Sequence, residues 1–402
     1  GYFCGVNASG AIIDVALAGT DEYDRTWDAV WDVGIAFNEN GWSAEFRFPF
    51  SMFQYDNEPN MVWGISFERM IHRLQETVEW PGKEKSVPGM MLPLGVLKGL
   101  SNIPSANQLE LVPYILAGGR NGLDTELGLD GRYGLTSNAI MKVTFNPDFG
   151  QVEADPSVLN LTAFETFYDE KRPFFSEGSD FFSQRINLFN SRRIGRRPGF
   201  FIPDEGEISG LSNYTTILGA TRIMGSTPSN INYGIISAIT KEERATINDS
   251  LSTQKIIVEP RTNYSIGRFE FPVFNTISKA GIMGTNVSRK DAAGANVIGG
   301  DWSFSFLDNR LFSNGQIIRS NVNNTIGNAF RFNIGYLNSE WWSARIWFGT
   351  SDDKFDINDL GFVRRNDITW AGTRIELRKQ EPWGRFVNNN LEFKYTQDWN
   401  GS

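Results

Sequence analysis

The sequence predicts an all-β chain in which the end of a β-sandwich precedes a C-terminal antiparallel transmembrane β-barrel. From about Leu211 onwards, runs of roughly ten residues with alternating polarity are separated by short turns rich in Gly, Asn, Ser and Asp. Runs of this length suit strands that are tilted across a bilayer, which need ~9–11 residues. Strands of globular sandwiches have about five or six residues, so strand length favours the barrel.

The alternation is clearest in residues 298–306 and 330–336. In the first run the apolar side chains share the parity of Trp302, and the polar side chains share that of Asp301; the second run alternates in the same way around Arg331. Successive side chains of a strand point to opposite faces, so each run is apolar on one side. The mean hydropathy is −0.31, and no stretch approaches the ~18 apolar residues of a membrane helix. Outer-membrane barrels have this pattern because every second residue faces lipid.

Charge and rare residues exclude several kinds of function. The net charge of −9 argues against nucleic acid as a partner. Cys4 is the single cysteine, so an internal disulfide or a cysteine metal cluster is ruled out. His72 is the single histidine, and we expect it to have a hydrogen-bonded structural role. We therefore expect no cofactor and no metal.

Residues 1–104 are predicted to be the C-terminal part of the sandwich, because short strand-like runs such as 41–50 and 61–67 are separated by turns such as 38–41. The tryptophans in these runs are expected to lie in its core: Trp27, Trp31, Trp42 and Trp63.

Residues 105–402 are predicted to form the barrel, with an irregular, charged insert at 146–200 that acts as a plug in the lumen or as a loop. The strand candidates after the insert are 214–223, 231–240, 264–271, 280–287, 297–306, 330–336, 342–348, 368–377 and 391–395. The aromatic residues expected to anchor the barrel at the membrane interfaces are Trp302, Tyr336, Trp341, Trp342, Trp347, Trp370 and Trp383.

Several motifs resemble those of a known bacterial family. They are residues 146–156, 160–161, 164–165, 170–175, 177–178, 191–195 and 358–364, with 27–31, 41–45 and 67–69 in the first domain. The chain resembles proteins in which a domain like carbohydrate-binding module family 9 precedes an outer-membrane barrel of unknown function. The resemblance implies an outer-membrane location in Gram-negative bacteria and a link to polysaccharide handling or catabolism. It implies no particular reaction.

Charged residues of the insert support two interpretations. The catalytic candidates are Asp148, Glu153 and Asp155, which could act as acid and base across a glycosidic bond. The alternative is a lumenal ion-pair network that holds the insert in place. Its candidate members are Glu165, Glu170, Arg172, Glu177, Arg192 and Arg193. Selectivity for a ligand or an ion is a third interpretation.

Two further features have structural and functional readings. Trp80 precedes Pro81 where a strand gives way to a loop, and it is the candidate for stacking on a sugar ring. The acidic turns 352–353 and 356–359 could hold a hard cation, but they lack the spacing of a known calcium loop, and we expect them to be solvated turns.

The leading hypothesis is an outer-membrane barrel with a sugar-binding-like domain, used for binding, uptake or surface handling of polysaccharide-derived ligands. The alternatives are a carbohydrate-active hydrolase and a structural envelope scaffold. The expected partners are outer-membrane lipid and a polysaccharide or oligosaccharide. The chain starts without Met and stops after a strand-like run, so we expect a fragment with an incomplete barrel.

Amide substitution separates the transport and hydrolase hypotheses. Asp148→Asn, Glu153→Gln and Asp155→Asn remove the charges that acid–base catalysis needs while keeping side-chain shape. The leading hypothesis predicts unchanged behaviour towards a glycan. Lost glycan turnover in a protein that still folds would favour the hydrolase.

Overall fold

A computed structural model describes most of the chain. The described residues are 1–18, 22–24, 27, 29–39, 41–53, 55, 59–82, 94–101, 103, 109–118, 124–147, 165, 167–168, 170–202, 207–248, 253–275, 277–337, 341–379, 384–385 and 388–400.

The chain divides into two compact units. The first contains Gly1–Glu110, Arg132–Ile140 and Pro173–Phe181, and the second contains Leu111–Gly131, Met141–Arg172 and Phe182–Ser402. No helix within the described ranges is both long and apolar enough to cross a membrane. The helices are α1 (Pro173–Ser176) and short 3-10 turns at Phe50–Met52, His72–Leu74, Ser179–Phe182 and Ser191–Arg193.

Small antiparallel sheets build the N-terminal region, with orders β1-β2-β3, β4-β5, β6-β9 and β7-β8. Their strands are β1 (Tyr2–Val6), β2 (Ile12–Ala18), β3 (Glu22–Asp24), β4 (Asp32–Asn38), β5 (Gly41–Arg47), β6 (Met61–Ile65), β7 (Phe67–Ile71), β8 (Glu76–Trp80) and β9 (Gly95–Leu100).

Trp27 and Trp31 form a buried cluster with Ala29 and Met52, which confirms the core prediction for these two tryptophans. The Asp14 carboxylate accepts hydrogen bonds from Ala29 N at 3.0 Å and from Trp31 Nε1 at 3.2 Å. The indole N–H therefore keeps a partner although its ring is buried. Trp42 and Trp63 are only partly buried.

One thirteen-stranded antiparallel sheet dominates the rest of the chain, in the order β10-β11-β12-β14-β15-β18-β19-β20-β21-β22-β23-β24-β25. A separate three-stranded sheet has the order β13-β16-β17. The strands are β10 (Leu109–Gly118), β11 (Asp124–Thr136), β12 (Ala139–Phe145), β13 (Glu207–Ser209), β14 (Ile217–Ser226), β15 (Asn232–Thr240), β16 (Glu243–Asn248), β17 (Thr253–Glu259), β18 (Thr262–Pro272), β19 (Lys279–Arg289), β20 (Ala295–Phe306), β21 (Leu311–Val322), β22 (Thr325–Tyr336), β23 (Trp342–Ser351), β24 (Ile368–Lys379) and β25 (Asn389–Asn400). The all-β, antiparallel prediction is confirmed.

Local sequence explains the tight hairpins of this sheet. Between β21 and β22, Val322 pairs with Thr325 across the two-residue turn Asn323-Asn324. Both turn residues have positive φ, 52° and 63°. Asparagine tolerates this left-handed conformation, and a turn of this hand matches the twist of the flanking strands.

The two faces of the large sheet differ in burial. In β18 the side chains of Tyr264, Ile266 and Arg268 are buried, whereas those of Ser265 and Phe269 are exposed. Strand pairing carries these two parities across β15 and β18 to β25 without a register shift. We call the side of Tyr264 the covered face and the side of Phe269 the open face.

The sheet has two free edges among the residues that the structure describes, because β10 and β25 end the strand order. Almost every residue of β25 is exposed, as expected for an edge strand with one neighbour. Thirteen antiparallel strands are an odd number, so β10 and β25 run in the same direction.

Two sequence-based expectations about this sheet are wrong. Trp347 and Trp370 lie on the covered face, opposite in parity to Trp302 and Trp342, and so cannot be anchors on the same surface. Trp383 lies outside the described residues. Strand β21 was also missed, because Phe312, Ile318, Leu311 and Ile317 put apolar side chains on both of its faces.

A close approach at Gly327 tests the packing of the sheet. A Cβ at this position would overlap the Lys354 carbonyl and Phe355 Cα, whereas a Cβ at Gly267 meets no atom within 4 Å. We expect Gly327→Ala to lower the free energy of unfolding by about 1–3 kcal/mol, because rigid backbone must shift. Chemical denaturation measures this loss, with Gly267→Ala as the matched control. Equal unfolding free energies for the two variants would contradict the described packing.

Candidate functional site: two segments packed on the covered face

The first covering segment, residues 182–202, lies against β20 and β21. Gln184 Nε2 donates to Asp301 Oδ1 at 2.6 Å. The Gln316 amide binds Ile186 twice, accepting from its N at 2.8 Å and donating to its O at 3.2 Å. A carboxamide has one donor and one acceptor side, so Gln316 replaces the strand neighbour that this irregular backbone lacks.

Apolar packing fixes the same segment. Leu188 is fully buried, and its Cδ1 lies 2.8 Å from the position that a Cβ on Gly299 would occupy. The small Gly299 therefore makes room for Leu188 on the covered face. Phe182 and Phe189 pack edge to face, with ring centroids 5.7 Å apart.

The second covering segment, residues 352–367, connects β23 to β24. Phe355, Ile357 and Leu360 are almost completely buried. Asp356 N donates to Ser320 Oγ at 3.1 Å, and Asp359 pairs with Arg289 of β19. The expectation of a solvated turn is therefore wrong for residues 356–359, because Ile357 and Leu360 pack onto the sheet. In the turn 352–353 the side chain of Asp353 is exposed, as expected.

The two covering segments bind each other. Asn187 and Phe362 form an antiparallel bridge in which Phe362 N donates to Asn187 O at 2.9 Å. Asn190 N donates to Leu360 O at 2.7 Å, and Arg193 Nε donates to Gly361 O at 3.1 Å. They consequently form one body, in which each satisfies backbone groups of the other.

A buried ion pair anchors the middle of the first covering segment. Arg172 Nη2 lies 2.7 Å from Glu170 Oε2, and the two side chains are 5% and 9% exposed. The Arg172 guanidinium also donates to Ile194 O and Ser191 O, each at 2.7 Å. Ser191 Oγ donates to Glu170 Oε2 at 2.6 Å. These partners satisfy the charges that burial strips of water.

The environment lowers the pKa of Glu170. Burial alone would raise its pKa, but hydrogen bonds from Arg172 and Ser191, with the positive charge of Arg172, outweigh burial. The carboxylate is therefore ionised at neutral pH, where it accepts hydrogen bonds from Arg172 and Ser191.

Arg193 makes a second, more exposed pair. Its guanidinium donates to Glu165 Oε1 and Oε2 at 2.8 and 2.7 Å. Glu165 is 55% exposed, so solvent weakens this pair. The Arg193 guanidinium also lies 5.8 Å from the centre of the Phe362 ring.

The remaining candidates from the sequence are distributed differently. Arg192 N donates to the Asn190 side chain at 3.2 Å, which caps a 3-10 turn. Glu177 lies in the first unit, where its backbone N donates to Pro173 O. The catalytic candidates Asp148, Glu153 and Asp155 lie outside the described residues. That these residues act together as a lumenal ion-pair network stays a prediction.

Trp80 lies at the end of β8 in the first unit. Its side chain is 54% exposed, its ring centroid lies 5.9 Å from that of Phe67, and its ring covers Gly95 of β9. The exposed indole retains a face that a ligand could reach. His72 is exposed, and its carbonyl accepts the Gln75 amide at 2.8 Å.

Among the described residues, no group of three or more His, Cys, Asp or Glu is arranged to hold a metal ion. Two of the three carboxylates proposed for the network, Glu165 and Glu170, are held by arginines.

Sequence reasoning missed a row of cations on the covered face that includes Arg345 and Arg374. Each lies in a predicted strand, but the sequence does not say that they stand opposite each other. Only strand register makes them direct cross-strand neighbours.

Comparisons with known proteins identify a family and one similar structure. The model of the family described as domain of unknown function (DUF5916) matches residues 106–401. No protein with a curated description matches the sequence. The chain is similar to OmpT (in-vitro folded), an outer membrane protein of Vibrio cholerae, at 9% identity and a TM-score of 0.26, over 73% of this chain and 95% of that one.

Acid should weaken the anchor at Glu170. A carboxyl group whose pKa is lower in the folded protein stabilises it above the unfolded pKa, and that stability is lost as pH falls through the folded pKa. We therefore expect the free energy of unfolding of the wild type to decrease as the pH is lowered below about 4.5. Denaturation at a series of pH values should give a flatter profile for Glu170→Gln.

At neutral pH, Arg172→Met should cost about 3–5 kcal/mol, because it leaves the Glu170 charge buried without a partner. The double variant Glu170→Gln/Arg172→Met should recover part of this loss. Coincident pH profiles for wild type and Glu170→Gln would contradict the assigned role of Glu170.

Proposed function

The chain belongs to the family described as domain of unknown function (DUF5916), and we propose that it is a bacterial outer-membrane β-barrel protein. In this proposal the open face of the large sheet contacts lipid, and the covered face lines the interior that residues 182–202 and 352–367 partly fill. The protein binds or passes small solutes along that interior.

The distribution of charge between the two faces carries the proposal. In β14, β15 and β18 to β25, the open face has two charged residues, Arg319 and Lys379. The covered face of the same strands carries Arg222, Arg268, Glu270, Lys279, Arg289, Asp301, Arg331, Arg345, Arg374, Glu376, Arg378, Glu392, Lys394 and Asp398. A surface in water has no reason to exclude charge, whereas hydrocarbon penalises it strongly.

The apolar side chains of the open face form a band whose height matches the apolar core of a bilayer. Its apolar side chains in β20 run from Ile298 to Phe306. This run extends roughly 26 Å at ~3.3 Å per residue, or about 20 Å after a tilt of ~40°, comparable with the ~25 Å apolar band of outer-membrane barrels. Tyr336 and Trp342 stack on the same face, with ring centroids 4.9 Å apart. Aromatic pairs of this kind suit a membrane interface.

A polar row marks one limit of the band. The cross-strand neighbours Ser237, Ser265, Asn286, Asn296 and Asn321 form a continuous line over five strands on the open face. Asn286 Nδ2 donates to Asn296 Oδ1 at 2.6 Å within this row. We assign the row to the level of the lipid head groups, where water can reach these amides and hydroxyls.

For the solute, we propose a polysaccharide-derived ligand. The supporting observation is that Trp347 and Trp370 lie on the covered face with their rings over Gly372 and Gly349. Indole rings that lie flat against the sheet offer apolar surfaces on which sugar rings can stack. The exposed Trp80 of the first unit would serve the same chemistry. The arginine-bound Glu165 and Glu170 lend no support to a hydrolase.

Arginine substitutions on the open face test the membrane proposal. Ile317 is 60% exposed, so Ile317→Arg would cost little in water. Facing hydrocarbon, it should destabilise the folded, vesicle-inserted protein by about 2–4 kcal/mol. Ser265→Arg in the polar row is the matched control and should cost about 0–1 kcal/mol. Urea unfolding from lipid vesicles measures both. Equal small costs, in a protein that stays dissolved without detergent, would overturn the proposal.

A further inference from the structure

Three cations stand in one cross-strand row on the covered face. Arg345 of β23 pairs directly with Arg374 of β24, which pairs directly with Lys394 of β25. Like charges placed opposite each other on a sheet repel and destabilise it. Such a row therefore needs an explanation beyond folding.

Two further arginines lie beside this row on the same face, and Arg331 is four residues along β22 from Gly335, the cross-strand partner of Arg345. Arg331 of β22 is the direct cross-strand partner of Gln316, whose amide holds Ile186 of the first covering segment. Arg185 precedes Ile186, and its charge acts on both Arg331 and Arg345. The first covering segment thus adds a positive charge next to the arginines of the covered face.

Nearby carboxylates do not balance these charges. Glu392 pairs with Arg374 at 2.8 Å. Glu376 accepts the Asn390 amide at 2.9 Å. Within the described part of the chain, the side chains of Arg185 and Arg331 make no hydrogen bond or ion pair. Arg345 donates its Nε to a neutral partner, Asn333 Oδ1, at 2.9 Å. The cluster of Arg185, Arg331, Arg345, Arg374 and Lys394 therefore carries excess positive charge.

Aromatic side chains border the cluster. The Arg345 guanidinium lies 5.8 Å from the Phe312 ring centre and 6.0 Å from that of Trp347. The Trp347 ring lies over Gly372, where a Cβ would otherwise stand. A ligand at the cluster would thus meet guanidinium donors beside a flat apolar surface.

We propose that this cluster binds the oxyanion group of an acidic saccharide, a uronate carboxylate or a sulfate ester. The guanidinium groups match the paired oxygens of a carboxylate or a sulfate, and the charge-assisted hydrogen bonds are strong. Trp347 stacks on the sugar ring that carries the anion. This inference rests on the proposed function, since it names the solute class for the same interior.

Binding to the purified full chain in detergent tests the proposal. The probes are glucuronate, glucose 6-sulfate, inorganic sulfate and neutral glucose, measured by titration calorimetry at low salt. We expect both acidic sugars to bind more tightly than inorganic sulfate, and glucose not to bind. Affinity should fall as salt rises, because salt screens the charges. Equal binding of glucose and glucuronate would overturn the proposal.

Matched variants locate the site. Arg331→Gln and Arg345→Gln should each weaken glucuronate binding by at least tenfold. Arg319→Gln removes an arginine from the open face of the neighbouring strand β21 and should leave affinity unchanged. Trp347→Phe should weaken acidic sugars severalfold while sparing inorganic sulfate. If the two sugars and sulfate bind alike and Trp347→Phe has no effect, the saccharide assignment fails.

Unfolding temperatures distinguish a loss of binding from a loss of folding in these variants. Because the cations repel each other, Arg331→Gln should raise the unfolding temperature of the ligand-free protein, and glucuronate should raise that of the wild type. A lower unfolding temperature for ligand-free Arg331→Gln and Arg345→Gln would argue against a cluster built for an absent anion.

The two proposals fail separately. Vesicle insertion without binding of acidic sugars would remove the anion site and leave the barrel proposal standing. Binding of acidic sugars by a protein that needs no lipid or detergent would remove the barrel proposal and leave the anion site standing.

Discussion

The unbroken register of the antiparallel ladder is the constraint on which the rest of this structure depends. From β15 through β25 the strands of the large sheet pair without a shift, so the parity of one strand is carried to all the others. A slip of a single residue would move every side chain of a strand to the other face. The charge-poor open face, the polar row and the cationic cluster all exist only in this register.

The covering segments show how irregular chain is held where regular pairing is lacking. Gln316 binds both backbone groups of Ile186, and Ser320 accepts from Asp356. Arg172 donates to the carbonyls of residues 191 and 194, and Arg193 donates to that of residue 361. Buried pairs such as Arg172–Glu170 repay desolvation only when such further bonds exist. Their value here lies in holding one arrangement of the segments, which in turn positions Arg185 beside the arginines of the wall.

Local sequence patterns predict the strands in which one face is apolar and the other is polar. Residues 298–306 and 330–336 alternate clearly, and both lie in strands with apolar side chains on the open face. The sequence of strand β21 does not alternate, because the covering segments bury apolar residues on its second face as well. Trp347 and Trp370 were misassigned because an aromatic residue alone does not reveal its side of the sheet. The acidic residues at 352–359 concealed a buried Phe355 and Ile357, since burial there depends on a distant sheet.

The sequence by itself determined the class of this protein: long, one-sided strands and short polar turns admit little besides a large antiparallel sheet. It also marked residues 146–200 as irregular and charged, and it made Arg172 and Glu170 candidates for pairing. Only the tertiary structure decided which cations meet, because Arg185, Arg331, Arg345, Arg374 and Lys394 come from four strands and a covering segment. Their proximity follows from register and from the docking of residues 182–202, and periodicity within one strand carries no information about either.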